Sequence, residues 1–273
     1  MARVERYQEG APCWADVQTP DVEAAKTFYA AVFGWTFQDL PTPDGRSYAQ
    51  AFIDEDLVSV IAPQNPKQEA AGQPAQWNVY FAADDARSLA HDVVHAGGTV
   101  QFGPEDVDDT GVMLFMEVPG GGTTGVWQAG THTGSALYNE HGAFAWTELL
   151  TPEPQAAVAF FQHLFGHDVT EYLQDDGGIY ITLMVDGAEV AGIAPAPGVE
   201  GDEEAKASPA TLGWQVYFGV SSASEAVLAA AAAGAEVLVE PEFGEDAGAL
   251  VATLKDPQGG VFSVVEIEPA PST

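Results

Sequence analysis

Residues 13–35 read CWADVQTPDVEAAKTFYAAVFGW, and residues 145–167 read AWTELLTPEPQAAVAFFQHLFGH. The two stretches align without a gap. A second pair, QWNVYFAADDARSLAHDVVHAGGTV at 76–100 and GWQVYFGVSSASEAVLAAAAAGAEV at 213–237, also aligns without a gap. Self-similarity at a fixed spacing indicates repeated structural units. The chain therefore contains four related modules.

Each module begins with a short run of strand type, followed directly by a helical pattern. In the first module, Val22, Ala25, Phe28, Val32 and Phe33 recur at roughly helical spacing. This spacing puts the apolar side chains on one face of a helix, and that face packs on a sheet.

The helix boundaries are also repeated. Residues 19–20 and 151–152 are both Thr-Pro, which predicts a hydroxyl N-cap followed by proline at the first helical position. Gly34 and Gly166 are expected to end the two helices, because glycine tolerates the left-handed conformation after a helix.

Runs suited to strands follow each helix, such as YAQAFIDEDLVSVIAP and ALVATLKDPQGGVFSVVEI, so each module is predicted to be βαβββ. The fold class is α+β, with four such modules in two tandem domains. Polar, Pro/Gly-rich joints are predicted at 64–73, 130–142 and 198–209. The predicted domains are 1–130, with modules 11–64 and 75–129, and 142–268, with modules 142–197 and 211–268.

The composition argues against nucleic-acid and membrane partners and against intramolecular disulfide bonds. Eight basic residues against 41 acidic ones give a formal net charge of -33, which repels nucleic acid and anionic lipid surfaces. No apolar run is long enough for a membrane span, and the first residues lack the apolar core of a signal peptide. The single cysteine, Cys13, excludes an intramolecular disulfide. We expect a cytoplasmic protein without nucleic-acid or membrane partners.

The helix ends FYAAVFGW and FFQHLFGH, the preceding W-x-[DE]-x-x-T-P strands and the closing DPQGGVFSVVE at 256–266 resemble the vicinal oxygen chelate superfamily. That superfamily includes glyoxalases, bleomycin resistance proteins and extradiol dioxygenases. The resemblance covers nearly the whole chain and is nearest to tandem two-domain, glyoxalase-like bacterial members. It implies that two modules pair into a curved mixed sheet around a cup that holds substrate or metal.

The resemblance also implies where metal ligands would lie, on the first and a late strand of each module. The first-strand positions are occupied by Trp14, Asn78, Trp146 and Gln215. Gly125 and Ser263 occupy the last-strand positions. None of these residues supplies the imidazole or carboxylate that a divalent metal prefers. We therefore predict no cofactor, and treat a divalent metal, held through ligands placed elsewhere, as the less favoured alternative.

Strand alternation puts a carboxylate beside an indole in each copy, Asp16 beside Trp14 and Glu148 beside Trp146. A carboxylate in an apolar cup has its pKa raised by desolvation, which suits acid–base catalysis or cation binding. Asp16 and Glu148 are therefore the candidate catalytic residues. A purely structural role, with the tryptophans in the core and the carboxylates at a strand edge, is the alternative. The candidate ligand-binding residues are Trp14, Asn78, Tyr80, Trp127, Trp146, Gln215, Tyr217 and Ser263.

Two functional hypotheses follow. The first is a metal-free protein of the bleomycin-resistance kind that binds a small planar or hydrophobic metabolite between aromatic rings. The second is an enzyme of the glyoxalase or dioxygenase class, using Asp16 and Glu148 or a non-standard metal site. A third possibility is that only one domain binds a ligand. The helical pairs His91/His95 and His163/His167 have metal-ligand spacing but are expected to be partly exposed helix residues. We expect a monomer or a homodimer.

Overall fold

The computed structural model describes residues 3–42, 45–174, 178–196, 212–244 and 248–267. The helices are α1 (Val22–Phe33), α2 (Pro66–Ala70), α3 (Ala86–His95), α4 (Pro154–Phe165) and α5 (Ala223–Ala232). Strands of the first half are β1 (Pro12–Thr19), β2 (Thr36–Pro41), β3 (Ser47–Ile53), β4 (Asp56–Pro63), β5 (Gln76–Ala82), β6 (Thr99–Val107), β7 (Gly111–Glu117) and β8 (Thr123–Ala129). Strands of the second half are β9 (Phe144–Thr151), β10 (Asp168–Leu173), β11 (Ile179–Val185), β12 (Ala188–Pro195), β13 (Gly213–Val220), β14 (Glu236–Gly244), β15 (Ala249–Lys255) and β16 (Val261–Glu266). None of the helices in these ranges combines the length and the hydropathy of a membrane-spanning helix.

The strands form two eight-stranded mixed sheets of the same topology. The first has the order β2-β3-β4-β1-β5-β8-β7-β6, and the second β10-β11-β12-β9-β13-β16-β15-β14. In each sheet two βαβββ modules meet along an antiparallel pair of first strands, β1 with β5 and β9 with β13. The predicted module and the α+β class are confirmed. The joint at 198–209 lies outside the described residues.

The predicted helix ends are correct, but the predicted starts are wrong by two residues. Asp21 caps α1, and its side chain accepts a hydrogen bond from the Ala24 amide. Glu153 precedes α4, and Pro154 rather than Pro152 occupies its first turn. The Thr-Pro hydroxyls instead accept from the amides two residues later, at 3.4 Å in the first module and 3.2 Å in the second. The sequence pattern located the turn before the helix but not the capping residue.

Both glycines behave as predicted. Gly34 and Gly166 have φ of 72° and 69°, and each amide closes the last helical turn. The left-handed conformation turns the chain directly into β2 and β10.

Alternation along β1 divides its side chains between two environments. Ala15 and Val17 belong to the main hydrophobic core, which also contains the buried face of α1. Trp14 and Asp16 point to the opposite face, away from α1. We call this face of the first sheet, around Trp14 and Asp16, cup one. Cup two is the corresponding face of the second sheet, around Trp146 and Glu148.

The helix-covered faces of the two sheets share one hydrophobic core. The rings of Trp77 in the first half and Phe218 in the second lie 4.9 Å apart. The hydroxyl of Tyr29 donates to the Asp256 carboxylate at 2.7 Å and accepts from the Trp77 indole at 3.1 Å. The two cups therefore open away from a common interior.

Candidate functional site

Cup one is centred on a hydrogen-bonded carboxylate. Asp16 accepts from the Asn78 amide at 2.7 Å and from the Tyr80 hydroxyl at 2.6 Å. Burial raises the pKa of Asp16 to about 6, although both hydrogen bonds favour the charged form. Burial and the neighbouring Asp16 raise the pKa of Tyr80, so its hydroxyl remains a donor.

Aromatic rings close the other end of cup one. Trp14, Tyr80 and Trp127 are 6%, 3% and 8% exposed and pack in one cluster. The ring of His132, from the segment between the domains, meets Trp14 edge-on at 4.5 Å, and its carbonyl accepts from the Trp127 indole at 2.8 Å. Burial lowers the pKa of His132 to about 4, which keeps this imidazole neutral at physiological pH. The interdomain segment therefore covers the tryptophans of cup one.

Cup two repeats the carboxylate–tyrosine pair, with a tyrosine that is more exposed than that of cup one. The Tyr217 hydroxyl donates to Glu148 at 2.6 Å, as Tyr80 does to Asp16. Trp146, Glu148 and Tyr217 are all partly exposed. Burial and the Glu148 charge raise the pKa of Tyr217, so it too remains a hydrogen-bond donor. The aromatic and acidic groups of cup two are thus accessible together.

Cup two also contains polar residues that the sequence reasoning missed. Glu189 accepts hydrogen bonds from Tyr172 and, at 3.2 Å, from Thr182. Tyr180 accepts from the Trp146 indole at 3.2 Å. The alternation Tyr180, Thr182 along β11 was a usable signal. A register shift near the β11–β12 turn hid Glu189, because a bulge breaks the simple alternation of faces.

At two pairs of equivalent positions, one cup has a glycine where the other has a residue with a side chain. Asp16 pairs with Val60, whereas Glu148 pairs with Gly192, so position 60 corresponds to position 192. Tyr80 pairs with Gly125 in cup one. In the same way Tyr217 pairs with Ser263, which hydrogen-bonds Thr253 at 3.0 Å.

The structure gathers the candidate residues into these two places. Their roles in binding or catalysis stay predictions. Cup one brings together Trp14, Asp16, Asn78, Tyr80 and Trp127, and cup two brings together Trp146, Glu148, Gln215, Tyr217 and Ser263.

The donors present do not fit a divalent metal site of the usual kind. Within the described ranges no three His, Cys, Asp or Glu side chains lie close enough to hold an ion. In cup one both oxygens of Asp16 already accept hydrogen bonds. His167 lies beyond the end of α4 and is buried against the carbonyls of Gly10 and Phe161, so it forms no helical pair with His163. The metal-free prediction remains open.

The sequence matches two related families. Residues 13–124 match the Glyoxalase/Bleomycin resistance protein/Dioxygenase superfamily, and residues 146–265 match a glyoxalase-like domain. "Putative glyoxylase CFP32" of Mycobacterium tuberculosis is 39% identical over 99% of this chain and 99% of its own length. "Anthracycline biosynthesis protein DnrV" of Streptomyces peucetius is 32% identical over 96% of this chain and 95% of its own length.

Solved structures share the fold. The Mn(II)-bound glyoxalase from Novosphingobium aromaticivorans superposes with a TM-score of 0.64 at 17% identity, covering 97% of this chain and 89% of that one. The 2,3-dioxygenase LapB from Pseudomonas sp. KL28 gives 0.62 at 19% identity, covering 99% and 96%. Two domain matches and full-length similarity to named relatives agree with the paired βαβββ modules. The chain belongs to the glyoxalase, bleomycin resistance protein and dioxygenase superfamily, the vicinal oxygen chelate proteins.

Proposed function

We propose that the chain binds a small planar molecule in cup two, between the rings of Trp146 and Tyr217 and beside the carboxylate of Glu148. The partial exposure of these three side chains carries the proposal. Aromatic walls with a few polar groups are the usual composition of a small-molecule site. In cup one the corresponding Trp14 and Tyr80 are buried, so the second domain is the better candidate.

The charge of the site favours a neutral or cationic ligand. Glu148 and Glu189 both lie on cup two, and the whole chain carries a formal charge of -33. An anion entering the cup would be repelled, whereas a cation gains from the carboxylates and from the indole face. Hydroxyl or amino groups on the ligand could donate to either carboxylate.

The names of two relatives agree with a planar ligand. DnrV and DauV, which is 33% identical over 97% of this chain, are both named for anthracycline biosynthesis. Anthracyclines are fused-ring aromatic compounds, and flat rings of that type stack well on tryptophan and tyrosine.

Calorimetric titration with three flat probes tests the proposal. We expect neutral 1,8-dihydroxyanthraquinone and cationic 9-aminoacridine to bind, and anthraquinone-2-sulfonate to bind at least tenfold more weakly. Trp146→Ala should weaken binding about 5- to 150-fold, the range for losing an aromatic anchor of about 1–3 kcal/mol. Trp214→Ala, which removes a partly exposed indole from the core-facing side of the same sheet, is the matched control. Undiminished binding to Trp146→Ala would place the site elsewhere.

Elemental analysis tests the metal-free part of the proposal. Protein purified without a metal-affinity column should contain less than about a tenth of an equivalent of Zn, Ni, Mn or Fe. A stoichiometric metal that chelators remove together with probe binding would contradict it.

A second candidate function is proton transfer by Asp16, and the raised pKa of this residue favours it. A group with a pKa near 6 can both accept and release a proton close to neutral pH. Deuterium exchange at the acidic C–H of a 1,3-diketone, followed by NMR, would reveal such transfer. The rate should rise through about pH 6 and be lost in Asp16→Asn. Equal exchange in that variant would remove the candidate.

A further inference from the structure

Tyr180 and Trp146 touch although a strand lies between them. The sheet order is β11-β12-β9, and neighbouring strands are about 4.8 Å apart. Tyr180 on β11 nevertheless accepts a hydrogen bond from the Trp146 indole on β9 at 3.2 Å. The tyrosine side chain must therefore pass over β12.

The crossing point on β12 is a glycine. A Cβ added to Gly192 would lie 2.1 Å from the Tyr180 hydroxyl oxygen and 2.7 Å from its Cζ. It would also lie 2.9 Å from Cγ of Glu148. Gly192 is not among the residues with positive φ, so its backbone conformation does not require glycine. Glycine is required because the Tyr180 side chain occupies the space that a Cβ would fill.

We infer that Gly192 is a positioning residue of cup two: its missing side chain lets Tyr180 cross β12 and hold the Trp146 indole in place. This inference rests on the proposed binding function of cup two. An indole fixed before the ligand arrives loses less side-chain entropy on binding. A ring held at one angle also selects flat ligands that can stack on it.

In cup one the equivalent tyrosine does not cross a glycine to reach the tryptophan. Val60 occupies the position of Gly192, and Tyr48 that of Tyr180. There the indole of Trp14 lies against His132, at 4.5 Å, and not against a tyrosine from the outer strand. The glycine therefore accompanies the accessible tryptophan and not the buried one.

Gly192→Ala tests the inference without a ligand. In ¹H–¹⁵N spectra the chain should show one indole N–H signal for each of its six tryptophans, and Trp146→Phe identifies the relevant one. Gly192→Ala should shift the Trp146 signal and leave the signals of Trp14 and Trp127 in place. Tyr180→Phe, which removes only the hydroxyl, should shift the same signal. Tyr180→Phe is the variant to measure if Gly192→Ala does not fold. An unmoved Trp146 signal in either variant would overturn the inference.

A double-mutant cycle tests the link to binding. Gly192→Ala should weaken 9-aminoacridine binding at least fivefold in the wild-type background and by a clearly smaller factor in Tyr180→Ala, where no ring remains to be displaced and only the contact with Cγ of Glu148 is left. Val60→Ala is the matched control and should leave binding within twofold. Equal losses in both backgrounds would overturn the positioning role. If wild type binds none of the probes, the proposed function fails, while the indole shift still decides the geometry.

Discussion

Cup one and cup two come from the same repeat, yet each carries a glycine where the other carries a side chain. In cup one Gly125 lies beneath Tyr80, and a Cβ there would be 2.3 Å from the ring. One edge of the Tyr80 ring lies over β8, with the ring centre 5.3 Å from that of Phe115 on β7, while its hydroxyl donates to Asp16 on β1. In cup two Ser263 takes the place of Gly125, and Tyr217 remains partly exposed.

The comparison shows how few residues separate a cup whose tryptophan and tyrosine are buried from one in which both are partly exposed. A side chain on a sheet normally contacts its direct cross-strand neighbours. A glycine on the neighbouring strand extends that reach to the strand beyond. Gly125 leaves room for the near edge of the Tyr80 ring, whereas Gly192 leaves room for the far end of Tyr180, which reaches Trp146.

The largest expected difference concerns the paired tryptophans. Trp14 is 6% exposed, so Trp14→Ala should cost about 3–5 kcal/mol of unfolding free energy, as for other buried aromatic residues. Trp146 is partly exposed, and Trp146→Ala should cost roughly half as much or less. Urea unfolding measures both, and equal losses would mean that the cups are equally filled.

The next prediction concerns Gly125 of cup one and its counterpart in cup two, Ser263, each replaced by alanine. Gly125→Ala should cost about 1–3 kcal/mol, because the added methyl group overlaps the Tyr80 ring. Ser263→Ala removes a hydrogen bond to Thr253 and should cost about 0.5–1.5 kcal/mol. Thermal unfolding would show the order of the two. A Gly125→Ala variant as stable as the wild type would mean that the Tyr80 ring can move aside at little cost.

The third prediction concerns pH. The pKa of Asp16 is raised to about 6 in the folded protein, above the ordinary value of about 3.9 in an unfolded chain. The folded state therefore binds the proton more tightly. The contribution of Asp16 is fully present below about pH 4 and is lost as the pH rises through about 6.

The measurement compares wild type with Asp16→Asn. The difference in their unfolding free energies should shift by about 1–3 kcal/mol in favour of the variant between pH 4 and pH 7. The comparison cancels the contributions of the other carboxylates. A difference that does not change with pH would show that Asp16 is solvated despite its two hydrogen bonds.

The smallest expected effect is at the acidic rim of cup two. Glu189 is exposed, and its counterpart Leu57 packs against the aromatic cluster of cup one. Glu189→Gln should weaken 9-aminoacridine binding about three- to fivefold at low salt and less at 0.5 M NaCl, because exposed charges are screened. Binding of the neutral anthraquinone should change less than twofold. Glu236→Gln, an exposed carboxylate paired with Lys255, is the control.

The sequence was sufficient for the architecture. Two ungapped repeats, helix-ending glycines and alternating strands predicted the modules and placed Asp16 and Glu148 beside their tryptophans. Alternation, however, gives the face of a side chain and not its reach. It could not predict that Tyr80 would bond to Asp16, or that Gly125 and Gly192 would leave room for tyrosine rings over a neighbouring strand. Nor could it foresee His132 covering Trp14, because that contact depends on the path of the interdomain segment.

The shared core has a consequence for dividing the chain. Trp77 and Phe218 come from different halves and are packed together, and Tyr29 is hydrogen-bonded to Asp256 across the same boundary. A cut in the exposed part of the interdomain segment, near Thr131, would give two fragments, each with an uncovered aromatic face and a buried polar group missing its partner. Such fragments should aggregate when expressed singly and recover a soluble complex when expressed together. The two fragments would then re-form cup one and cup two only when they associate, so the chain could report on the association of proteins fused to them.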